Sequence, residues 1–360
     1  MPTVSLKNVS MRFGTVTAVE SMDLVIKDKE YVTILGPSGC GKTTLIKIIA
    51  GILEPTEGEV FIGETDVRGI PTEDRDIGYV FQNIALFPHL NVRDNVSYGP
   101  RVRDLPPAEV EGIWKEYLDL VKLLDRMEMF PSELAGGEQQ KVSLARALAS
   151  GSKLLLLDEP LSALDARVRV DLRYDIRRLA KELGLTVIHV THDQEEAMSV
   201  SDRIVLMRNG RVVETGTPIN LYRSPDNIFT ANFIGETNLL EGSIKERDES
   251  GITIRLRDGT LVKASAKFMD VEDAVVLSVR PEYVYTASDG VQAKVVSVTF
   301  MGTHWRIGTR TSSEDDVDFD VQTSDKVPSI GDEVRLVFNK RMTMVYARPI
   351  EGIAEAIRLE

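Results

Sequence analysis

GPSGCGKT, Gly36 to Thr43, is preceded by the apolar run YVTIL (Tyr31 to Leu35) and followed by TTLIKIIAG, in which Leu45, Ile48, Ile49 and Ile52 recur near helical spacing. Gly51 is a plausible helix stop. A β-rich run, a glycine-rich loop and a helix, in that order, are the context of a phosphate-binding loop rather than of an ordinary glycine turn. Glycines let backbone N–H groups close around a phosphate with no Cβ in the way, and the helix start adds the positive end of its dipole. In such a loop Lys42 bridges the β- and γ-phosphates and the Thr43 hydroxyl is a Mg²⁺ ligand. The candidate nucleotide contacts are Gly36, Pro37, Ser38, Gly39, Cys40, Gly41, Lys42, Thr43 and Thr44. Cys40 reads as a small residue that fits, with a thiol that a helix N-terminus is expected to acidify.

Outward from the loop, short apolar runs alternate with helical segments up to about residue 235, which predicts an α/β architecture. KLLLLDEP (Lys153 to Pro160) is a continuous apolar run ending in two acids, as a strand buried on both faces of a parallel sheet reads. Asp158 and Glu159 then sit at the carboxyl edge of the sheet, where ligands bind. Asp158 is the candidate to hold Mg²⁺ through its water shell, and Glu159 the candidate general base for an attacking water. LTVIHVTHD is a second buried strand, and RIVLMRNGRVVETG a hairpin turning at Asn209-Gly210. After Gly235 the texture changes to short alternating strands such as GITIRLRDG and AKVVSVTF, which suggests a separate small β-barrel. The expected domains are therefore 1–235 and 236–360.

Composition narrows the class. The 360 residues include 42% hydrophobic and 28% charged residues, ordinary for a globular protein, and the length favours two domains. No stretch approaches the roughly 20 apolar residues of a membrane-spanning helix, and MPTVSLKNVSMRFG lacks the apolar run of a secretory signal. The chain is expected to remain in the compartment of its synthesis and to serve a membrane, if at all, as a peripheral subunit. A net charge of −13 gives no reason to expect nucleic acid as a partner. The single cysteine fits a reducing cytoplasm, and the four histidines show no zinc-ligand spacing.

LAGGEQQKVSLARAL, Leu134 to Leu148, lies just upstream of LLLLDEP. SALD (Ser162 to Asp165), THD (Thr191 to Asp193) and Gln82 in VFQNIALFPHLNV complete an ordered set. With these motifs the chain resembles the ATP-binding subunits of ABC transporters, in the import subgroup that carries a C-terminal TOBE domain. The first 235 residues carry the specific motifs. FIGETNLL and SVRPE resemble the TOBE segment more loosely.

The resemblance implies a P-loop ATPase domain with a helical subdomain at about 84–150, then an all-β OB-like TOBE domain. It implies two copies head to tail with two ATP molecules between them. Lys42, Thr43, Gln82, Asp158, Glu159 and His192 of one subunit would face Ala135, Gly136 and Gly137 of the other. His192 would hydrogen-bond the γ-phosphate, Asp165 would link the two sites, Phe13 would stack on adenine, and Gln82 would reach Mg²⁺. Ala135 departs from the pattern, since a serine commonly donates there, and Glu138 stands where glutamine is usual. The implied partners are two transmembrane permease subunits at the cytoplasmic face of the membrane and, through them, an extracytoplasmic solute-binding protein. ALFPHLNVRDN reads either as the core of the helical subdomain or as a groove for a permease helix. The resemblance favours the groove, with Leu86 and Phe87 as contacts.

Two other functions compete. Soluble ABC ATPases acting on DNA or ribosomes usually carry paired ATPase domains or a long coiled coil between phosphate loop and acidic pair. Here the stretch from Thr43 to Asp158 is short and lacks sustained heptads. A regulator with an incidental ATPase is opposed by the complete catalytic set. The short form of FIGETN leans toward polyamine, metal or anion uptake over sugar.

Overall fold

The computed structural model describes residues 3–248, 251–265 and 273–359. Its contacts form two compact units, Met1–Pro218 and Ile219–Leu359.

The first unit holds β1 (Val4–Phe13), β2 (Val16–Ile26), β3 (Tyr31–Leu35), α1 (Lys42–Ala50), β4 (Glu57–Ile62), β5 (Thr65–Asp66) and β6 (Ile77–Val80). It continues with α2 (Val92–Val102), α3 (Pro107–Leu120), α4 (Gly136–Ala149), β7 (Leu154–Asp158), α5 (Ala166–Glu182), β8 (Thr186–Thr191), α6 (Gln194–Val200), β9 (Arg203–Arg208) and β10 (Arg211–Gly216). One antiparallel sheet has the order β2-β1-β4-β5, and a larger one the order β10-β9-β3-β8-β7-β6. In the larger sheet every pair is parallel except β9 with β10.

Every residue of β3, β7 and β8 is buried, as their unbroken apolar runs require when helices cover both faces. One core joins Leu45, Ile48 and Ile49 of α1 to Leu6 of β1 and Ile34 of β3. A second joins Trp114 of α3, Val142 of α4 and Ile176 of α5 to Leu155 and Val187 of the sheet. Register then fixes the site. Leu35 pairs with Thr191, and Asp158 with Val190, so the ends of β3, β7 and β8 lie level along one edge of the sheet. The glycine loop, Glu159 and His192 all emerge there.

The second unit opens with α7 (Pro218–Arg223) and α8 (Ile228–Phe233). It then forms β11 (Asn238–Asp248), β12 (Gly251–Leu256), β13 (Leu261–Ala264), β14 (Ala274–Val279), β15 (Val284–Phe300), β16 (His304–Thr311), β17 (Asp316–Gln322), β18 (Glu333–Phe338), β19 (Met344–Ala347) and α9 (Ile353–Ala356). The strands make two antiparallel sheets, β13-β12-β11-β14-β19 and β17-β16-β15-β18. Both contribute to one core through Leu240, Ile254, Val291, Ile307 and Phe319. The units divide at Pro218, ahead of the change in texture near Gly235. α8 accounts for the difference, because Ile228 and Ala231 bury themselves against Val276, Met344 and Tyr346 of the β unit.

Candidate active site

The glycine loop threads between backbones. A Cβ on Gly36 would lie 2.3 Å from the Met207 carbonyl, and one on Gly41, where φ is +102°, 2.1 Å from the Ala18 carbonyl. Only glycine fits either place. Lys42 opens α1 with a buried side chain whose Nζ donates to the carbonyls of Gly36 at 2.9 Å and Pro37 at 2.7 Å. Cys40 corrects an expectation: burial pushes its thiol up and outweighs the neighbouring Lys42, so the thiol is not acidified.

Thr43 Oγ1 donates to Asp158 Oδ1 at 3.2 Å, and Tyr79 OH donates to Asp158 Oδ2 at 3.2 Å. Burial lifts the Asp158 carboxyl above its ordinary range in spite of both hydrogen bonds. Burial, then the Asp158 charge, pushes the Tyr79 phenol far up, so it stays a neutral donor. Sequence reasoning missed Tyr79 because it reads as one apolar residue of a strand; only the pairing of β6 with β7 brings it to the acid.

Glu159 holds a left-handed backbone, φ +45°, with its N–H donating to the Val190 carbonyl at 2.9 Å. For a residue with a Cβ this conformation costs about 1–2 kcal/mol. Its Oε2 accepts from Gln82 Nε2 at 3.1 Å and lies 3.2 Å from His192 Nδ1. His192 is half exposed, while Glu159 is mostly buried. Ser162 Oγ donates to the Glu159 carbonyl at 2.9 Å, which ties the following segment to the acid. Asp165 caps α5 by accepting the Val168 N–H at 3.1 Å. Arg169, another residue the sequence did not single out, reaches Asp193 Oδ2 at 3.3 Å and the Leu164 carbonyl at 3.1 Å.

Loop, acids, Gln82 and His192 thus form one group at the sheet edge. Ala135, Gly136 and Gly137 stand elsewhere, at the start of α4, and line a cleft of about 420 Å³ with Asp165 and Val168. The Ala135 N–H donates to Glu138 Oε2 at 3.0 Å, which is one half of a capping box; alanine has no oxygen to supply the other half. Phe13 ends β1 with its ring about half exposed.

Segment 87–91 is fastened by the fully buried Asn95. Its Oδ1 accepts the Phe87 N–H, and its Nδ2 donates to the carbonyls of Phe87, Leu90 and Asn91. Leu86 is half-buried against the helical core. The Phe87 ring packs on Tyr98, with centroids 4.5 Å apart, under the Arg146 guanidinium. Tyr98 and Val102 of α2 supply more open apolar surface than either. A cleft of about 670 Å³ runs between α2 and α3, lined by Arg93, Arg101, Leu105 and Trp114, and neither Phe87 nor Tyr98 lines it.

Comparison with known proteins agrees with this geometry. The ABC transporter family model matches residues 19–162, and the TOBE domain model residues 277–345. The spermidine/putrescine import ATP-binding protein PotA of Roseobacter denitrificans is 44% identical over 306 residues, 83% of this chain and 84% of the relative. The Fe(3+) ions import ATP-binding protein FbpC of Photobacterium profundum is 38% identical over 354 residues, covering 97% and 98% of the two chains. Among solved structures, the dimeric post-hydrolysis state of the ATP-binding cassette MJ0796 bound to ADP and Pi superposes with a TM-score of 0.54 at 34% identity, covering 60% of this chain and 98% of that one. The reading as a soluble ATPase on DNA or ribosomes finds no support in them. The chain belongs to the family of ATP-hydrolysing subunits of ABC transporters, in the import group that carries a C-terminal TOBE domain.

Proposed function

We propose that two copies of this chain bind two ATP molecules at a shared interface, and that Glu159 is the general base of hydrolysis. The observation that carries this reading is the Glu159 carboxylate, one oxygen of which meets both Gln82 and His192 at the sheet edge. A carboxylate between an amide donor and an imidazole is oriented to accept a proton from water, while His192 keeps open surface toward a γ-phosphate. Lys42 and the loop N–H groups bind the phosphates, Phe13 offers its ring to adenine, and Asp165 works across the interface. Ala135, Gly136 and Gly137 act on the partner's nucleotide. In support, they lie apart from the loop of their own chain, and the solved relative MJ0796 is dimeric.

Mg²⁺ fits the donors present. Thr43 and Asp158 offer hard oxygens 3.2 Å apart, the donor type that Mg²⁺ takes. Thr43, Asp158 and Gln82 are the residues that would hold the ion, Asp158 through its water shell. When bound, the ion neutralises charge developing on the transferred phosphoryl group.

The subunit works at the cytoplasmic face of a membrane on two permease subunits, which an extracytoplasmic binding protein loads. No helix among the described residues is long and apolar enough to cross a membrane. The surface formed by Leu86, Phe87 and the neighbouring Tyr98 receives a permease helix. Relatives named for spermidine/putrescine and Fe(3+) import support the lean toward polyamine or metal uptake. Glu159→Gln tests the mechanism: turnover should fall about 10²–10⁴-fold, and the variant should elute with ATP as a dimer. Native turnover would remove Glu159 from its role.

A further inference from the structure

Behind the turn that carries His192 lies a set of buried polar side chains with no part in the reaction as described. Tyr31, His189, Thr191 and Glu196 are each no more than 3% exposed. Tyr31 OH lies 3.0 Å from His189 Nδ1, and His189 Nε2 lies 3.1 Å from Glu196 Oε1. Thr191 Oγ1 donates to Glu196 Oε2 at 2.6 Å. The Tyr31 hydroxyl thus meets Nδ1, one oxygen of the Glu196 carboxyl faces Nε2 at ion-pair distance without hydrogen-bond alignment, and its other oxygen accepts from Thr191. Burial alone would raise that carboxyl, but His189, the hydrogen bonds and the Arg173 charge hold it below its ordinary range.

The set closes on the backbone of the turn. The Asp193 N–H donates to Thr191 Oγ1 at 3.0 Å, and the Glu196 N–H donates to Asp193 Oδ1 at 3.0 Å. Thr191 and Asp193, the neighbours of His192 on either side, are thus tied to each other and to Glu196. A helix cap needs Asp193 alone. A buried carboxylate backed by histidine and tyrosine exceeds that need and carries a desolvation cost that apolar packing would avoid.

We propose that Glu196 is a positioning residue for hydrolysis: through Thr191 and Asp193 it fixes the direction in which His192 presents its imidazole to Glu159, and Tyr31 and His189 fix Glu196 in turn. This rests on the reading of His192 as part of the hydrolytic site. The test uses the full chain and compares Glu196→Gln, His192→Ala and the double variant. Steady-state kcat and KM for ATP are measured, with single-turnover assays to resolve residual rates and melting curves to correct for folded protein. Gln keeps the shape but places an NH₂ against a group that itself donates. Glu196→Gln should lower kcat about tenfold or more, since small misplacements of a reacting group cost that much, while KM for ATP changes less than about twofold. It should lower nothing further in the His192→Ala chain, because an absent imidazole cannot be aimed. If Glu196→Gln folds poorly, Thr191→Val, which removes only the hydroxyl, is read the same way. Native turnover in His192→Ala would overturn the reading beneath the proposal and the proposal with it. A reduced His192→Ala rate that Glu196→Gln lowers by the same factor as in the native chain, or native turnover in Glu196→Gln, would overturn the proposal alone.

Discussion

Asp158 is a carboxylate whose hydrogen-bond donors are two hydroxyls, and burial raises its carboxyl above the ordinary aspartate range. A carboxyl raised on folding binds its proton more tightly in the folded chain than in the unfolded one. Stability therefore falls as pH climbs from the ordinary range of about 3.9 toward the raised value. Asparagine has no charge to desolvate. Without nucleotide, Asp158→Asn is expected to melt above the native chain at neutral pH, with the gain vanishing below the ordinary aspartate range, while ATP turnover collapses. Calorimetry across pH and a phosphate-release assay check both halves; a neutral-pH melting point below the native value would refute the account. Lys42, Thr43, Asp158, Glu159, Gln82 and His192 were legible in the sequence because each belongs to a short ordered motif. Tyr79 and Arg169 were not, because their contacts come from strand register and helix packing, which no local spacing encodes; the partners of Glu196 are close in sequence, but nothing in that stretch marks the acid as buried. Cys40 misled for a related reason: the helix start is local and visible, whereas the burial that outweighs it is tertiary.

The elements divide in the same way. β3, β7 and β8 were readable as continuous apolar runs, and the hairpin of β9 and β10 turns at Asn209-Gly210, both with positive φ, as that dipeptide demands. α2 gave no comparable signal, since VRDNVSYGPRV carries Gly99 and Pro100 within the helix. Pro100 lies two residues before the end of the helix at Val102, and Asn91 caps its start by accepting the Asp94 N–H at 2.8 Å. What makes α2 necessary is Asn95, which holds the segment leading from Gln82 into the helical region. Asn95→Leu matches it roughly in size but strands the Phe87 N–H and three carbonyls. It should destabilise the first unit by about 3 kcal/mol, the scale of a few unsatisfied buried groups, read as a lowered denaturant midpoint. Turnover should also lose its response to the permease, because Phe87 and its neighbours would no longer be held. A native midpoint would show that the segment stands without Asn95.

Across the whole chain the two units have separate cores, and α7 and α8 belong to the second. A chain ended at residue 235 would keep Ile228 and Ala231 of α8 without Val276, Met344 and Tyr346 to cover them. A chain ended at Pro218 should therefore remain monodisperse, whereas one ended at Gly235 should bind an apolar dye and associate; size-exclusion chromatography separates these outcomes. The all-β character of the second unit was legible from alternation alone. Its first two helices were not, because helical segments belong to the texture of the unit before them.

In the larger sheet β3 lies between β8 and β9, pairing Tyr31 with Val187 and Val32 with Arg203. The strand that leads into the glycine loop leaves the ribosome well before both strands that hold it, which are among the last of the first unit. A nascent chain can thus carry every residue of GPSGCGKT long before it can fix them. Closing so long a separation slows folding and defers nucleotide affinity until the unit is nearly complete, so that ATP then acts as a ligand drawing the finished unit toward its native state.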